Sequence, residues 1–597
     1  MNPIEVSISA GDSPDPIHYT TDGRIPRPSD PVYETPLTFD GTAVLRAAAI
    51  PDSVSDDIYV PSVPAVATVT YLFLSSILFQ PDNPKGYPSE WGPFIEQKGN
   101  APADYGMDQE LLGNKTFSLR ASQGLEQIPA VSIVTDPDNL FSHERDEETG
   151  GIYIYTGSDK GDGYGRGWER PASIEIFDVE GRFDIQANCG VRLHGGYSRI
   201  PEKNPKHSFR VVFRSEYGQG KLNVQLFGKD SPKKYNSLVL RTFSNYSWQH
   251  FDNKRSQAQY MREMWARETQ RKMGHEYIHG QYVHLFLNGL YWGMYNLSER
   301  PDDSWCSTSF GGSREDYDLF KDGELSEGYS DRWETMESVV DEIMKYSLPG
   351  RKEKADECLE RLETLMDIDN FIDYMLINFY SGNTDWDEGN WVACANREKG
   401  TGFKFMCWDS EKIFSDLNYS NISDTEGMLT KMFHKLIQNG TFQKRFQDRV
   451  YIHCYDGGAL TPESVIATWN ELYSSIDMAL YDESARWGDY RRDVHQYVSK
   501  GELYTPDNQF AAERARLLDD YFPKRTSVLL KQLKRAGMIS SIERNSGQKA
   551  DVKVLDGKVF INGAAPETVF TPAGQIIGNA NLKAGTYISK GFKISVR

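Results

Sequence analysis

The chain of 597 residues is too long for a single hydrophobic core, so several domains are expected. Its composition, 39% hydrophobic and 25% charged, is that of an ordinary folded protein and argues against extensive disorder. The formal net charge of −20 repels the phosphate backbone of nucleic acids, and the longest apolar run, residues 66–79, falls short of a membrane span. We therefore expect neither nucleic acid as a partner nor a membrane-spanning segment.

The six cysteines are widely scattered, and none has the C-x-x-C spacing of a zinc site. Cys394 and Cys407 could face each other across a hairpin. Buried thiols without disulfides are the expected state, and that state says little about the cellular compartment.

Two segments precede the central part of the chain. Residues 1–73 contain short alternating runs separated by turn signals such as Asp22-Gly23 and Asp40-Gly41, which predicts a small β-sandwich. Residues 74–127 are rich in proline, glycine and asparagine, and we expect an extended linker with little regular structure.

From Ile128 onward strands are expected, and the pair Gly195-Gly196 precedes a strand-like run that begins at Lys206. Two glycines followed by a lysine could form a loop over phosphates and a phosphate-binding cation. A simple turn and a solvated surface charge are the commoner interpretation of the same residues.

An amphipathic helix is predicted over residues 256–273, ended by Gly274. It offers Glu263 and Glu268 as possible partners for the lysine. Either could equally be a surface charge, and the sequence does not choose. A hairpin turning at Asn288-Gly289 follows and ends near Glu299, where we place a hinge.

The other predicted parts of the chain are arranged around one stretch, Phe371 to Phe414. Apolar residues at three- and four-residue intervals predict a buried helix that ends near Ser381-Gly382-Asn383. A polar loop with Asp385 and Asn390 comes next, followed by a predicted hairpin of residues 391–395 and 403–407, and then by Asp409 and Glu411.

Because a hairpin brings its two ends together, these four polar groups should converge. Carboxylate and amide oxygens suit Mg²⁺, and a further carboxylate could orient or deprotonate a hydroxyl group. The spacing from Asp385 through Asn390 to Asp409 matches the catalytic loop and metal-binding aspartate of protein kinases, although the usual flanking residues are absent. Solvated surface acids are the competing interpretation.

The remainder is predicted to be helical over 427–439, 442–455, 462–481 and 507–535. Between these helices lies ESARWGD, residues 483–489, which could close over a site but more simply forms a packing motif. Residues 537–597 return to short alternating runs and predict a small antiparallel β unit.

Several of these motifs carry a family resemblance. RLHGGYSRIPEKNPKHSFRVVF, FLNGLYWGMYNLSERPD, GNTDWDEGNWV, FMCWDSEKIF and ESARWGD resemble the spore-coat protein H (CotH) kinase family. HYTTDGRIPRPSDPVYETPLTF resembles the chitobiase/hexosaminidase C-terminal β-sandwich module, and the tail resembles the C-terminal sorting-type β tails of secreted proteins from Bacteroidetes-type bacteria.

The resemblance implies a multidomain α+β protein. Its parts would be an N-terminal β-sandwich over 1–73, a linker over 74–127, an atypical protein-kinase-like two-lobed core over 128–536 with a helical C-terminal lobe, and a β tail over 537–597. The implied activity is transfer of the ATP γ-phosphoryl group to a protein Ser or Thr hydroxyl with Mg²⁺.

The resemblance also implies site residues. Asp385 resembles the catalytic aspartate, and Asn390 and Asp409 resemble metal ligands. Glu411 stands where many members have a second aspartate, which leaves its role as a ligand open. A nucleotide site would include the residues Lys206, Gly195, Gly196 and Glu299.

Two other functions compete with the kinase. A surface interaction protein could keep the fold without the activity, and a metal-dependent hydrolase could use the same carboxylates, although no second acid beside an aromatic cleft is evident. The flanking modules imply a secreted or cell-surface protein, yet residues 1–9 lack the features of a signal peptide. The N-terminal module could contact a glycan or a surface, and the acceptor protein is not identified by the sequence.

Overall fold

The computed structural model describes residues 3–60, 65–157, 163–179, 184–347, 351–497 and 500–540, with Leu582 and the short strands of the tail. The chain forms two compact units. The first unit consists of Met1–Tyr260, His279–Arg300 and Tyr473–Glu513, and the second unit consists of Met261–Ile278, Pro301–Leu472 and Arg514–Arg597. The protein is a mixed α+β molecule of several domains. The domain limits predicted from the sequence stay predictions.

The described strands follow in chain order. They are β1 Ile4–Val6, β2 Ile17–Thr20, β3 Leu37–Phe39, β4 Ala43–Ala49, β5 Ala67–Tyr71, β6 Glu90–Pro93, β7 Asn100–Pro102, β8 Ala130–Thr135, β9 Arg170–Phe177, β10 Asp184–His194, β11 Ser208–Val212, β12 Ser237–Arg241, β13 Gly280–Leu287, β14 Leu290–Glu299, β15 Tyr317–Lys321, β16 Glu324–Glu327, β17 Trp391–Asn396, β18 Lys404–Cys407, β19 Val552–Leu555, β20 Lys558–Ile561, β21 Thr568–Phe570, β22 Ile576–Gly578, β23 Gly585–Ser589 and β24 Phe592–Val596.

The described α-helices are given in the same way. They are α1 Leu74–Ile77, α2 Gln109–Leu112, α3 Lys115–Gly124, α4 Pro137–Phe141, α5 Arg262–Lys272, α6 Asp303–Phe310, α7 Asp331–Tyr346, α8 Lys352–Glu363, α9 Ile368–Ser381, α10 Met428–Leu436, α11 Gly440–Cys454, α12 Pro462–Ser474, α13 Ala479–Trp487, α14 Gln509–Ala515 and α15 Phe522–Arg535.

The N-terminal part of the first unit contains two small antiparallel sheets, β1-β3 and β2-β4-β5. In β5 buried and exposed residues alternate, which is the period-two pattern expected when one face of a sheet is covered. The strands predicted for residues 1–73 are therefore present. The segment 74–127 differs from the prediction, because it contains α1, α2, the ten-residue α3 and the strand pair β6-β7.

Regular structure in 74–127 was missed because its helices are short and depend on caps. Asn114 accepts backbone N–H groups of Thr116 and Phe117 at 2.9 and 3.2 Å, and Asp108 accepts the N–H of Glu110 at 2.7 Å. Proline and glycine in the same segment dominated the sequence pattern. The correction is that this segment is a folded part of the first unit and is not an extended linker.

A closed seven-stranded barrel forms the centre of the first unit, with strand order β10-β11-β12-β14-β13-β8-β9. Neighbouring strands are antiparallel except β8 and β13, which are parallel. Each strand contributes fully buried apolar residues to one core, among them Val131, Ile174, Val191, Phe209, Leu238, Val283 and Leu297. The sequence predicted strands in this part of the chain, but it predicted neither β12 nor the closure into a barrel.

The turn between β13 and β14 confirms the predicted Asn-Gly hairpin. Asn288 and Gly289 have φ values of 48° and 83°, the left-handed conformation that a two-residue hairpin turn requires at both positions. Asn288 also accepts the N–H of Thr135 through its side-chain oxygen at 2.9 Å, which ties the turn to the end of β8.

The second unit is organised by the buried helix α9 and a four-stranded sheet of order β16-β15-β17-β18. Strand β18 lies at the edge of this sheet, and amide side chains satisfy its outer backbone groups. Asn370 of α9 accepts the N–H of Phe405 at 2.6 Å, while Gln270 of α5 donates to the Phe405 carbonyl at 2.6 Å and accepts the N–H of Cys407 at 3.0 Å. These bonds fix α5 and α9 along the strand that leads to the site.

Three predicted helices are shorter than expected. The helix predicted over 256–273 begins at Arg262, after a separate 3₁₀ turn at Asn253–Gln257. The helix predicted over 462–481 is divided into α12 and α13, and the one over 507–535 into α14 and α15 by a π-helical turn at Arg516–Tyr521. Periodicity continues across such breaks, so it does not reveal them.

In the tail, the described strands form two antiparallel sheets, β19-β20 and β22-β21-β23-β24, as predicted. All six cysteines are buried and none is in a disulfide, which confirms that expectation. Cys394 pairs with Lys404 across the hairpin and Cys407 with Trp391, so the two thiols do not face each other. Among the described residues, no helix is both long and apolar enough to cross a bilayer.

Two histidines of the first unit make stability depend on pH. Burial lowers the pKa of His207 to about 3 and that of His284 to about 4, from an ordinary 6.5. Below pH 6.5 the unfolded chain binds protons at these residues and the folded chain does not, so stability is lost as pH falls toward the folded pKa values. Each histidine should lower the free energy of unfolding by about 2 kcal/mol when the pH falls from 7 to 5.

Urea unfolding of wild type and His207→Phe at pH 7 and pH 5 tests this prediction. Between pH 7 and pH 5, the free energy of unfolding of the variant should fall by about 2 kcal/mol less than that of the wild type. An identical pH dependence of the two proteins would contradict the prediction.

Candidate functional site

The loop that carries Asp385 begins where α9 ends. Gly382 closes the helix with φ of 59°, the left-handed conformation that glycine adopts most readily. Asn383 then accepts the backbone N–H of Asp385 through its side-chain oxygen at 3.1 Å. The predicted helix, its end and the loop are confirmed, and the buried α9 fixes where the loop starts.

Asp385 and Asn390 lie together, as predicted. The side-chain NH₂ group of Asn390 donates to the backbone oxygen of Asp385 at 2.6 Å and to its Oδ2 at 3.1 Å. Lys412 lies 3.0 Å from Oδ1 of the same carboxylate. Asn390 has φ of 65°, an uncommon left-handed conformation for a residue other than glycine.

The hairpin places both of its ends at one edge. Trp391 pairs with Cys407, so Asn390 and Trp408 are the residues that leave the paired strands on the same side. The predicted convergence of the two polar segments is therefore confirmed at the level of the backbone. The tryptophans of these segments, Trp386, Trp391 and Trp408, are all buried. Trp386 packs against Tyr374 and Phe379 of α9, whereas Trp408 belongs to the apolar cluster of the hairpin strands.

Three carboxylates meet after the hairpin. Glu263, Asp409 and Glu411 each offer an oxygen, and the three oxygens lie within 4.8 Å of one another. We call them the acidic triad. Glu263 and Glu411 are buried, Asp409 is half-buried, and the backbone N–H of Asp409 donates to Glu263 Oε1 at 3.1 Å. Asp409 has φ of 56°, so both Asn390 and Asp409 have left-handed backbones.

Glu263 was not predicted as part of this group. It lies in the first turn of α5, and Gln270, two turns further along the same helix, is the residue bonded to Phe405 and Cys407. Arg267 forms an ion pair with Glu263 one helical turn away. No spacing signal in the sequence points to Glu263, because only the docking of α5 along β18 brings it to Asp409.

Neither residue that the sequence offered as a possible partner of Lys206 is its partner in the structure. Neither Glu263 nor Glu268 contacts it: Glu263 belongs to the acidic triad, and Glu268 pairs with Arg271 at 2.8 Å. In the first unit, Lys206 Nζ lies 2.7 Å from both carboxylate oxygens of Glu483 and donates to the carbonyl of Met294 at 2.7 Å. Both side chains of the pair are fully buried.

Burial dominates the electrostatics of this pair. It lowers the pKa of Lys206 to about 8 and raises the pKa of Glu483, in each case against the attraction of the partner. Glu483 lies in the ESARWGD segment, whose predicted packing role is also present, since Trp487 is fully buried and Arg486 stacks over its ring at 4.0 Å.

The remaining predicted nucleotide residues also lie in the first unit. Gly195 follows β10 with φ of 101°, a backbone conformation that residues with a side chain rarely adopt and that favours glycine here. Glu299, the last residue of β14, is buried and accepts the backbone N–H and Nδ1 of His279, both at 2.9 Å. Contacts of Gly195, Gly196 and Glu299 with a nucleotide stay a prediction.

Asp387 caps the start of α10. Its carboxylate accepts the backbone N–H groups of Leu429 and Thr430 at 2.6 and 2.8 Å, at the start of α10. We expect Asp387→Ala to lower the free energy of unfolding by about 2 kcal/mol, because these buried donors lose their acceptor. Chemical denaturation measures this, with Glu388→Ala on the exposed neighbouring residue as control. Equal stability of the two variants would contradict the assignment.

Comparison with known proteins supports both predicted resemblances. The family described as CotH kinase protein matches residues 191–529, more than half of the chain. The chitobiase/beta-hexosaminidase C-terminal domain matches residues 1–59. A search of curated proteins found no match.

Proposed function

The chain belongs to the CotH kinase protein family, and from that premise we propose that it is an atypical protein kinase that transfers the γ-phosphoryl group of ATP to a protein Ser or Thr hydroxyl. The observation that carries the proposal is the second unit's pairing of Asp385 with Asn390 beside a hairpin that ends in the acidic triad. This is the residue order of a kinase catalytic loop and metal-binding aspartate.

The donor set fits a hard divalent cation. Three carboxylates whose oxygens lie within 4.8 Å of one another bring up to three negative charges together, and Arg267 is paired with one of them. Oxygen donors of this kind are those that Mg²⁺ prefers. Asp409, Glu411 and Glu263 would hold the ion, with Asn390 as a further oxygen donor. When bound, the ion would supply charge neutralisation for the phosphates of ATP.

Residues of the chain would supply the acid–base group and the contacts to the nucleotide. Asp385 would orient the acceptor hydroxyl and take up its proton, because its carboxylate is half-exposed and held in place by Asn390. Lys206, kept by its ion pair with Glu483, and the Gly195-Gly196 turn would contribute to nucleotide binding. We propose for the core the kinase-like two-lobed fold that the order of these elements suggests.

The cellular location is proposed from the family match of the N-terminal module. The match of residues 1–59 to the chitobiase/beta-hexosaminidase C-terminal domain supports a secreted or cell-surface protein whose N-terminal module contacts a glycan or a surface. Such a module does no chemistry in this proposal, so its removal should leave phosphotransfer intact.

Phosphotransfer tests the proposal directly. The full chain is incubated with Mg²⁺ and γ-labelled ATP, alone and with a dephosphorylated protein mixture, and phosphoserine and phosphothreonine are identified by mass spectrometry. We expect labelling by the wild type and a loss of at least about 100-fold in Asp385→Asn, the range typical for an acid–base group. Equal background labelling by both proteins would contradict the kinase and favour an interaction protein on the same fold.

A further inference from the structure

Lys412 contacts the proposed catalytic carboxylate at the oxygen that Asn390 leaves open. Its Nζ lies 3.0 Å from Asp385 Oδ1, while Asn390 Nδ2 lies 3.1 Å from Oδ2. One oxygen therefore faces an ammonium group and the other an amide. A carboxylate held at both oxygens cannot rotate about its last torsion without breaking one of these contacts.

The main chain fixes Lys412 independently of its side chain. Thr384, the residue before Asp385, donates both its backbone N–H and its hydroxyl to the carbonyl oxygen of Lys412, at 3.0 and 3.2 Å. The segment that follows the acidic triad is thus bound to the segment that precedes Asp385. The ion pair joins two short stretches already held at a set distance, unlike a pair of flexible surface chains.

Stability does not explain such a contact. The side chains of Lys412 and Asp385 are 25% and 40% exposed, and an ion pair at that exposure contributes little to folding. The orientation of the Asp385 carboxylate can matter much more for the reaction, because a misplacement of about 1 Å in a reacting group can lower the rate about 100-fold.

We propose that Lys412 is a positioning residue of the phosphotransfer reaction, holding the Asp385 carboxylate in the orientation that receives the acceptor proton; this inference rests on the proposed function. In that step the acceptor oxygen forms a bond to the γ-phosphorus as the bond from that phosphorus to the bridging oxygen of ADP breaks. The hydroxyl proton passes to the Asp385 carboxylate. Lys412 keeps its own protons and touches neither substrate nor nucleotide in this role.

The test compares Lys412→Met and Lys412→Arg with wild type in steady-state phosphotransfer. We expect Lys412→Met to lower kcat about 10- to 100-fold with the KM for ATP unchanged, because orientation is lost and nucleotide binding is not. Lys412→Arg retains a charged donor and should recover most of kcat. Lys404→Met is the matched control, since Lys404 is 26% exposed and lies 3.0 Å from Glu276 in the same unit.

The outcomes separate the two proposals. A wild-type level of kcat in Lys412→Met, with active wild type, would overturn the positioning role and leave the kinase standing. A similar fall in Lys404→Met would also overturn it, because the effect would then follow from any lost ion pair. Absence of phosphotransfer by the wild type, although Mg²⁺ and ATP stabilise the protein, would overturn the proposed function and the positioning role with it.

Discussion

Lys206→Met is expected to lower the free energy of unfolding by about 3–5 kcal/mol, the cost of leaving one partner of a buried ion pair without its counter-charge. The two oxygens of Glu483 lie 2.7 Å from Lys206 Nζ, and both side chains are fully buried. The buried carboxyl must then be protonated or remain as an uncompensated charge. Thermal and urea unfolding of the variant measure the loss.

The loss of unfolding free energy in Lys206→Met should become larger as the pH rises. Burial already raises the pKa of Glu483, and removal of Lys206 takes away the attraction that opposes this rise. A raised carboxyl pKa contributes stability below its unfolded value of 4.5 that is lost as pH rises, so the deficit of Lys206→Met is larger at pH 8 than at pH 5. The double variant Lys206→Met/Glu483→Met should recover most of the loss. Additive losses in the double variant, or a deficit independent of pH, would contradict this account.

Asp409→Ala is expected to reduce phosphotransfer by at least about 1,000-fold. Charge stabilisation by a bound divalent ion is worth several kcal/mol in the transition state, and each 1.36 kcal/mol is about tenfold in rate. Asp409 is the first member of the acidic triad after β18, and one of its carboxylate oxygens lies within 4.8 Å of an oxygen of each glutamate. The measurement is kcat with saturating ATP and Mg²⁺.

Asp416→Ala is the control for that substitution, since Asp416 is an exposed carboxylate further along the same segment. It should keep wild-type activity. If Asp409→Ala retained a tenth or more of the wild-type kcat, the acidic triad would not be the metal site of the reaction.

Much of the site could be predicted because it is local in sequence. Asp385, Asn390, Asp409 and Glu411 lie close together along the chain, and a hairpin of known register joins their two segments. Helical periodicity predicted α9, and two short strand-like runs joined by a glycine-containing turn predicted β17 and β18. Such signals need no information on how distant parts of the chain pack.

The rest depends on packing at long range. Glu263 reaches Asp409 because Gln270 binds the edge of β18, and Glu483 reaches Lys206 across 277 residues of sequence. Neither contact has a spacing rule, so the sequence offered Glu263 and Glu268 as possible partners of Lys206 and did not suggest Glu483. Closure of seven strands into a barrel has the same cause, since each strand shows its own pattern and none shows its neighbour.

Thermal unfolding of the wild type with ATP, with Mg²⁺ and with both tests most directly whether the acidic triad is part of a metal-dependent nucleotide site. A ligand that binds only the folded state stabilises it by about 2.7 kcal/mol at 100 times its Kd. We expect a rise in Tm that requires both ATP and Mg²⁺, disappears in Asp409→Ala and persists in Asp416→Ala. No rise at millimolar ATP and Mg²⁺, or a rise equal in Asp409→Ala, would contradict a metal-dependent nucleotide site at the acidic triad.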